Sequence, residues 1–137
     1  MDIKQFEEFL IDKEKLDILL VEDDLFSRKL TETYLSNYFN VESTANGNDA
    51  IQKASKAAYS VILMDINLGK EMNGIETTKK IRELAGYNEI PIIAFTAYAM
   101  AGDKENFLSS GFTHYISKPF TRKDLYQVMF EALGEVK

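Results

Sequence analysis

The 137-residue chain is 45% hydrophobic and 28% charged, and its 22 Asp+Glu against 16 Lys+Arg leave a formal net charge of −6. That is apolar content for one core and too little length for two ordinary domains, so one globular domain is expected. The acidic balance argues against a broad nucleic-acid-binding surface, the absence of cysteine removes disulfides, thiolate zinc sites and thiol nucleophiles, and no apolar run approaches the ~20 residues of a membrane span.

Met1 to Lys15 alternates apolar and charged residues with no basic start, long apolar stretch or small-residue cleavage site, so it does not read as a secretory signal and a cytoplasmic location is expected. Phe6, Leu10 and Ile11 fall at a spacing that predicts one short amphipathic helix. Residues 1–15 read as an N-terminal extension or linker remnant ahead of a domain over 16–137. From there, apolar or β-branched runs recur at 17–21, 40–44, 60–64, 91–96 and 113–117, each followed by a helical segment. Two of them, Ile18-Leu19-Leu20-Val21 and Val61-Ile62-Leu63-Met64, are continuously apolar, as strands covered on both faces of a parallel sheet are, and should be central. The predicted helices run from Asp24 to about Asn37, then over 47–57, 73–84, 101–110 and 121–133. Leu30, Tyr34 and Tyr38 form the expected buried stripe of the first, Asp103 lies near the start of the fourth, Gly111 is its C-terminal stop, and Thr121 is the N-cap of the last. Alternating strands and helices with right-handed crossovers point to an α/β fold: a flavodoxin-like, doubly wound five-stranded parallel sheet of order 2-1-3-4-5 with five helices. Ligands bind such sheets beyond the carboxyl ends of the strands.

Those ends carry chemistry. The first is followed by Glu22-Asp23-Asp24 and the third by Asp65, so carboxylates from two strands should meet at one rim. Clustered carboxylates need raised pKa values or a cation, and hard oxygen donors without His or Cys suit Mg²⁺ better than zinc. Mg²⁺ bound this way keeps room for water and a phosphate oxygen, an arrangement suited to phosphoryl transfer. Thr96 ends the fourth strand with a hydroxyl, and Lys118-Pro119 follows the fifth with a cation for a developing phosphoryl charge. Singly, each has an ordinary reading: Asp24 is a helix N-cap, Thr96 a routine strand end, Lys118 a solvated charge. Their conjunction at four strand ends of one sheet is what points to a site. Gly69-Lys70 does not complete a phosphate-loop pattern and reads as a turn. His114, the only histidine, has no catalytic or metal-ligand constellation and is assigned no function.

Leu19-Leu20-Val21-Glu22-Asp23-Asp24, Leu63-Met64-Asp65-Ile66-Asn67, Ala94-Phe95-Thr96-Ala97 and Tyr115-Ile116-Ser117-Lys118-Pro119-Phe120 together resemble, in order and spacing, the receiver family of response regulators in two-component signalling. The resemblance runs from about Leu16 to Leu133. It implies that Asp65 is the phosphoacceptor, that Glu22 and Asp23 hold Mg²⁺ directly or through water with Asp65, and that Asn67 lends the metal a backbone carbonyl. Thr96 and Lys118 would bind phosphoryl oxygens, Tyr115 would be an aromatic switch coupled to Thr96, and Lys118–Pro119 would be cis. Residues 68–74 depart from the family pattern, lacking a common proline and running one residue longer than the commonest form.

The expected function is therefore a phosphorylation switch. Asp65 takes a phosphoryl group from phosphohistidine on a sensor histidine kinase or a histidine phosphotransfer protein, and the domain catalyses part of that step and of its own dephosphorylation without being a conventional enzyme. A downstream protein would read the state on the face of the fourth helix, fifth strand and fifth helix, with no direct nucleic-acid contact and no membrane span. A DNA-binding or enzymatic output domain is not expected within these residues. An alternative, a receiver-like interaction module that works without phosphorylation, fits the complete set of pocket residues less well, and a small-molecule phosphatase would need a cleft and further catalytic groups that the chain lacks.

Overall fold

Parallel strands β1 (Asp17–Val21), β2 (Asn40–Thr44), β3 (Val61–Asp65), β4 (Ile92–Thr96) and β5 (His114–Ser117) form one sheet in the order β2-β1-β3-β4-β5. The computed structural model describes residues 2–11, 14–69, 71–97 and 108–134. Every residue of β3 and β4 is buried, as are Ile18 to Val21 of β1. Their unbroken apolar runs are thus explained by helices on both faces rather than by alternation. The order and the parallel sense are those expected of a flavodoxin-like sheet. The third strand sits one residue later than its apolar run suggested, so Asp65 is itself the last strand residue, paired with Phe95.

Around the sheet lie α1 (Ile3–Ile11), α2 (Leu25–Leu35), α3 (Gly47–Lys56), α4 (Gly74–Arg82) and α5 (Arg122–Gly134). Ile18, Leu20, Leu63, Ile93 and Phe95 point to one layer, where they pack with Phe6, Leu35 and Met129 of α1, α2 and α5. Leu19, Val21, Ile62, Met64 and Ala94 point to the other, against Ala50 and Ala54 of α3 and Ile81 of α4. The helix predicted over 101–110, with Asp103, lies outside the described residues except for its end. There Gly111 adopts φ 106°, the left-handed conformation a helix stop requires, and its N–H donates to Leu108 O at 3.2 Å. Arg82 anchors the same corner: its guanidinium donates to the carbonyls of Tyr87, Ile90 and Gly111 at 2.6 to 2.9 Å, tying the segments that enter β4 and β5.

Local signals located the helix starts well. Asp24 caps α2 by accepting from Ser27 N–H at 2.8 Å, and Thr121 caps α5 by accepting from Asp124 N–H at 3.0 Å while Asp124 accepts from Thr121 N–H at 3.0 Å. Helix faces were less legible. In α2 the buried residues are Thr31 and Leu35, followed beyond the helix by Phe39, whereas Leu30 is 38% exposed and Tyr34 and Tyr38 are only half-buried. The stripe of Leu30, Tyr34 and Tyr38 is thus displaced by one residue: the tyrosines border the core, and Thr31, Leu35 and Phe39 turn inward. Residues 3–11 do form a helix, with Phe6 and Leu10 buried, but Ile11 is 68% exposed. Phe6 meets Phe130 of α5 edge to face, ring centroids 5.3 Å apart, so α1 packs on the domain rather than trailing from it.

Candidate active site at the strand ends

The register builds the site. Val21 pairs with Met64, which brings the next residues, Glu22 and Asp65, side by side at the carboxyl rim. Asp65 pairs with Phe95 and Thr96 with Ser117, so Thr96 and Lys118 follow on the same edge. Lys118 reaches inward between the acids. Its Nζ donates to Glu22 Oε1 at 2.6 Å and lies 3.4 Å from Asp65 Oδ2. Asp65 Oδ1 accepts from the backbone N–H of Asn67 at 3.1 Å. The Lys118–Pro119 bond is cis, as expected, and Lys118 N–H donates to Thr96 O at 2.8 Å. Asp23 is exposed at the mouth, and Glu22, Asp23 and Asp65 each offer a carboxylate oxygen within 4.8 Å of the others.

Burial decides the electrostatics. Glu22 is 1% exposed, and loss of solvent, reinforced by the neighbouring Asp65 carboxyl, pushes its pKa up to about 8 despite the opposing pull of Lys118. Burial works against the charge on Lys118 too, but its contacts with Glu22 and Asp65 outweigh that and raise its pKa, so it stays cationic. Among the described residues, Glu22 Oε2 is buried and meets no hydrogen-bond donor. A buried acceptor left this way beside two more carboxylates fits a hard divalent cation such as Mg²⁺, and the donor set, all oxygen, is the one that ion takes.

Thr96 is 5% exposed and Tyr115 40% exposed. Tyr115 pairs with Ala94, two residues before Thr96, so the two side chains share one face of the sheet on adjacent strands. Asn67 is exposed and its backbone is held at the Asp65 carboxylate through its N–H.

The sequence reading missed two neighbours of the acids. Gly74 opens α4 directly against the backbone of Asp65: a Cβ there would stand 2.2 Å from Asp65 O, which explains a glycine just after the N-cap Asn73, where residues with better helix propensity are the rule. Arg28 donates from Nη1 to Glu22 O at 3.0 Å. A glycine at a helix start is a weak signal of close approach, and nothing in the local sequence marks Arg28 off from an exposed helical arginine.

Residues 18–130 match the model of the response regulator receiver domain. The chain belongs to that family. It is a receiver domain of the kind used in two-component and phosphorelay systems. It is 40% identical over 82% of its length to hybrid signal transduction histidine kinase I of Dictyostelium discoideum, of which it spans 7%, and 33% identical over 82% to the histidine-protein kinase BarA of Escherichia coli, of which it spans 12%. Against the polar-differentiation response regulator DivK of Brucella anthropi it is 35% identical over 86% of its length and spans 96% of that protein. Among solved structures, the receiver domain of sensor histidine kinase PA1611 from Pseudomonas aeruginosa, with a magnesium ion in its active-site cleft, superposes with a TM-score of 0.81 at 35% identity, covering 89% of this chain and all of that one. The chemotaxis protein CheY4 of Vibrio cholerae superposes with a TM-score of 0.82 at 28% identity, covering 87% of this chain and 99% of that one. Among the described residues, no helix of this receiver is long and apolar enough to cross a membrane.

Proposed function

We propose that Asp65 is the phosphoacceptor, taking the phosphoryl group of a phosphohistidine on a sensor histidine kinase or histidine phosphotransfer protein. The observation that carries this reading is the setting of Asp65: one carboxyl oxygen held by Asn67 N–H, the other facing Lys118, and the acids Glu22 and Asp23 alongside. In the step itself an oxygen of Asp65 attacks phosphorus, the P–N bond breaks with its electron pair returning to imidazole, and an acyl phosphate forms. Hydrolysis reverses the gain: water attacks phosphorus, the P–O bond to Asp65 breaks, and the carboxylate is restored. Lys118 neutralises charge on the phosphoryl oxygens and the Thr96 hydroxyl orients them by donating a hydrogen bond, and the chain's share of catalysis is positioning and charge placement.

Glu22, Asp23 and Asp65, with the Asn67 carbonyl, are the residues that would hold Mg²⁺, directly or through water. When bound, the ion supplies positive charge against the phosphoryl oxygens. The magnesium found in the cleft of the similar Pseudomonas aeruginosa receiver supports this assignment. Thr96 then reports the phosphoryl group to Tyr115 across the shared sheet face, and a downstream protein reads the change on the surface of β5, α5 and the segment before β5. Receivers within histidine kinases among the relatives favour a kinase or phosphotransfer donor, and with it a cytoplasmic site of action.

Intact-mass spectrometry with acetyl phosphate is the test. Wild type should gain one phosphoryl group only in the presence of Mg²⁺, and Asp65→Asn none. An unmodified wild type, under conditions that label a control receiver, would favour an interaction module that works without phosphorylation.

A further inference from the structure

Glu22 is where β1 leaves the sheet. Its N–H still donates to Thr44 O of β2 at 3.0 Å, while its carbonyl accepts from the Arg28 guanidinium at 3.0 Å, six residues ahead in the first turns of α2. The same turn is closed twice more, by Arg28 N–H to Asp24 O at 2.9 Å and by Ser27 N–H to Asp24 Oδ2 at 2.8 Å. Asp23 sits between these ties with its carboxylate exposed and directed to the cluster with Glu22 and Asp65. Building on the proposed role of these acids, we infer that Arg28 is a positioning residue for the cation-holding group: it locks the backbone of residues 22–24 so that Glu22 and Asp23 already face Asp65 before the cation arrives.

Two effects of opposite sign compete at Arg28. As a positive charge beside the ligand loop, felt by the Asp24 carboxylate, it would weaken binding of a divalent cation, and its removal would tighten it. As a tie on the ligand loop it removes freedom that binding would otherwise have to quench, and its removal would weaken binding. The geometry favours the tie. The guanidinium is engaged by the Glu22 carbonyl, and its ion pair, at 3.9 Å, is with the partly exposed Glu32 carboxylate one turn along α2 rather than with the acids of the cluster.

Calorimetric titration of the full chain with Mg²⁺ separates the two. Arg28→Met should bind about tenfold more weakly than wild type, the lower end of what loss of a partner behind a metal ligand costs. Arg28→Lys, which keeps a donor for the carbonyl, should recover most of that loss, and Glu32→Gln, which leaves the carbonyl bond intact, should stay within about twofold of wild type. Amide hydrogen exchange at Asp23 and Asp24, measured without metal, should be faster in Arg28→Met. If Arg28→Met binds Mg²⁺ as tightly as wild type or more tightly, the positioning role is refuted while the cation site stands. If wild type itself takes up no Mg²⁺, the reading of the acids fails and the inference with it.

Discussion

Glu22→Gln makes the energetics of the acid cluster measurable. In the metal-free protein the Glu22 carboxyl has a folded-state pKa of about 8, against an ordinary value of 4.5. A carboxyl raised in this way contributes stability that is fully present below about pH 4.5, where folded and unfolded chains both carry the proton, and is lost as pH rises through 8. Each unit of separation is worth about 1.36 kcal/mol, so the ceiling is about 5 kcal/mol. Rearrangement of Lys118 and entry of water at the open rim should leave about half of that, roughly 2–3 kcal/mol. Urea unfolding in EDTA at several pH values from 5 to 9, comparing wild type with Glu22→Gln, removes this titration and leaves the groups outside the Glu22–Asp65–Lys118 cluster as a common background. Wild type should lose stability relative to the variant across that window, and saturating Mg²⁺ should restore it at the alkaline end, because the ion binds the carboxylate form. Parallel curves for the two proteins would refute the account of a buried, proton-holding glutamate.

Asp23→Ala should weaken Mg²⁺ binding at least about tenfold by calorimetry, since the site offers few other ligands, whereas Lys118→Ala should spare metal binding and slow phosphoryl transfer by intact-mass time course. Thr96→Ala should still accept a phosphoryl mimic such as beryllofluoride at Asp65 but no longer shift the NMR signals of Tyr115; equal shifts in both proteins would remove Thr96 from the switch. Gly74→Ala should cost about 1–3 kcal/mol in urea unfolding and impair labelling of Asp65, because its methyl must displace the backbone at Asp65. Phe6→Ala should cost about 3 kcal/mol with Asp65 labelling unchanged, and a loss below about 1 kcal/mol would mean that α1 is not docked in solution.

Much of this receiver is written locally. The β1 and β3 runs, continuously apolar, can be satisfied only by cover on both faces, so strand positions followed from residue type to within a residue. The caps at Asp24 and Thr121 depend on an oxygen three residues from the N–H it accepts, a distance set by the helix itself. The acids, hydroxyl and lysine fell at strand ends, and parallel connectivity leaves those ends on one edge. Other features depended on neighbours distant in the chain. Whether Leu30 or Leu35 turns inward depends on how α2 rolls on β1 and β2, and either choice satisfies a 3.6-residue period. The docking of α1 needs Phe130, more than a hundred residues away, to stand where Phe6 can reach its edge. Gly74 against Asp65 O and Arg28 on Glu22 O arise from backbone approaches of a few ångströms. Side-chain pattern constrains which face a residue prefers, but distances of that size are set by the sum of all the packing around them.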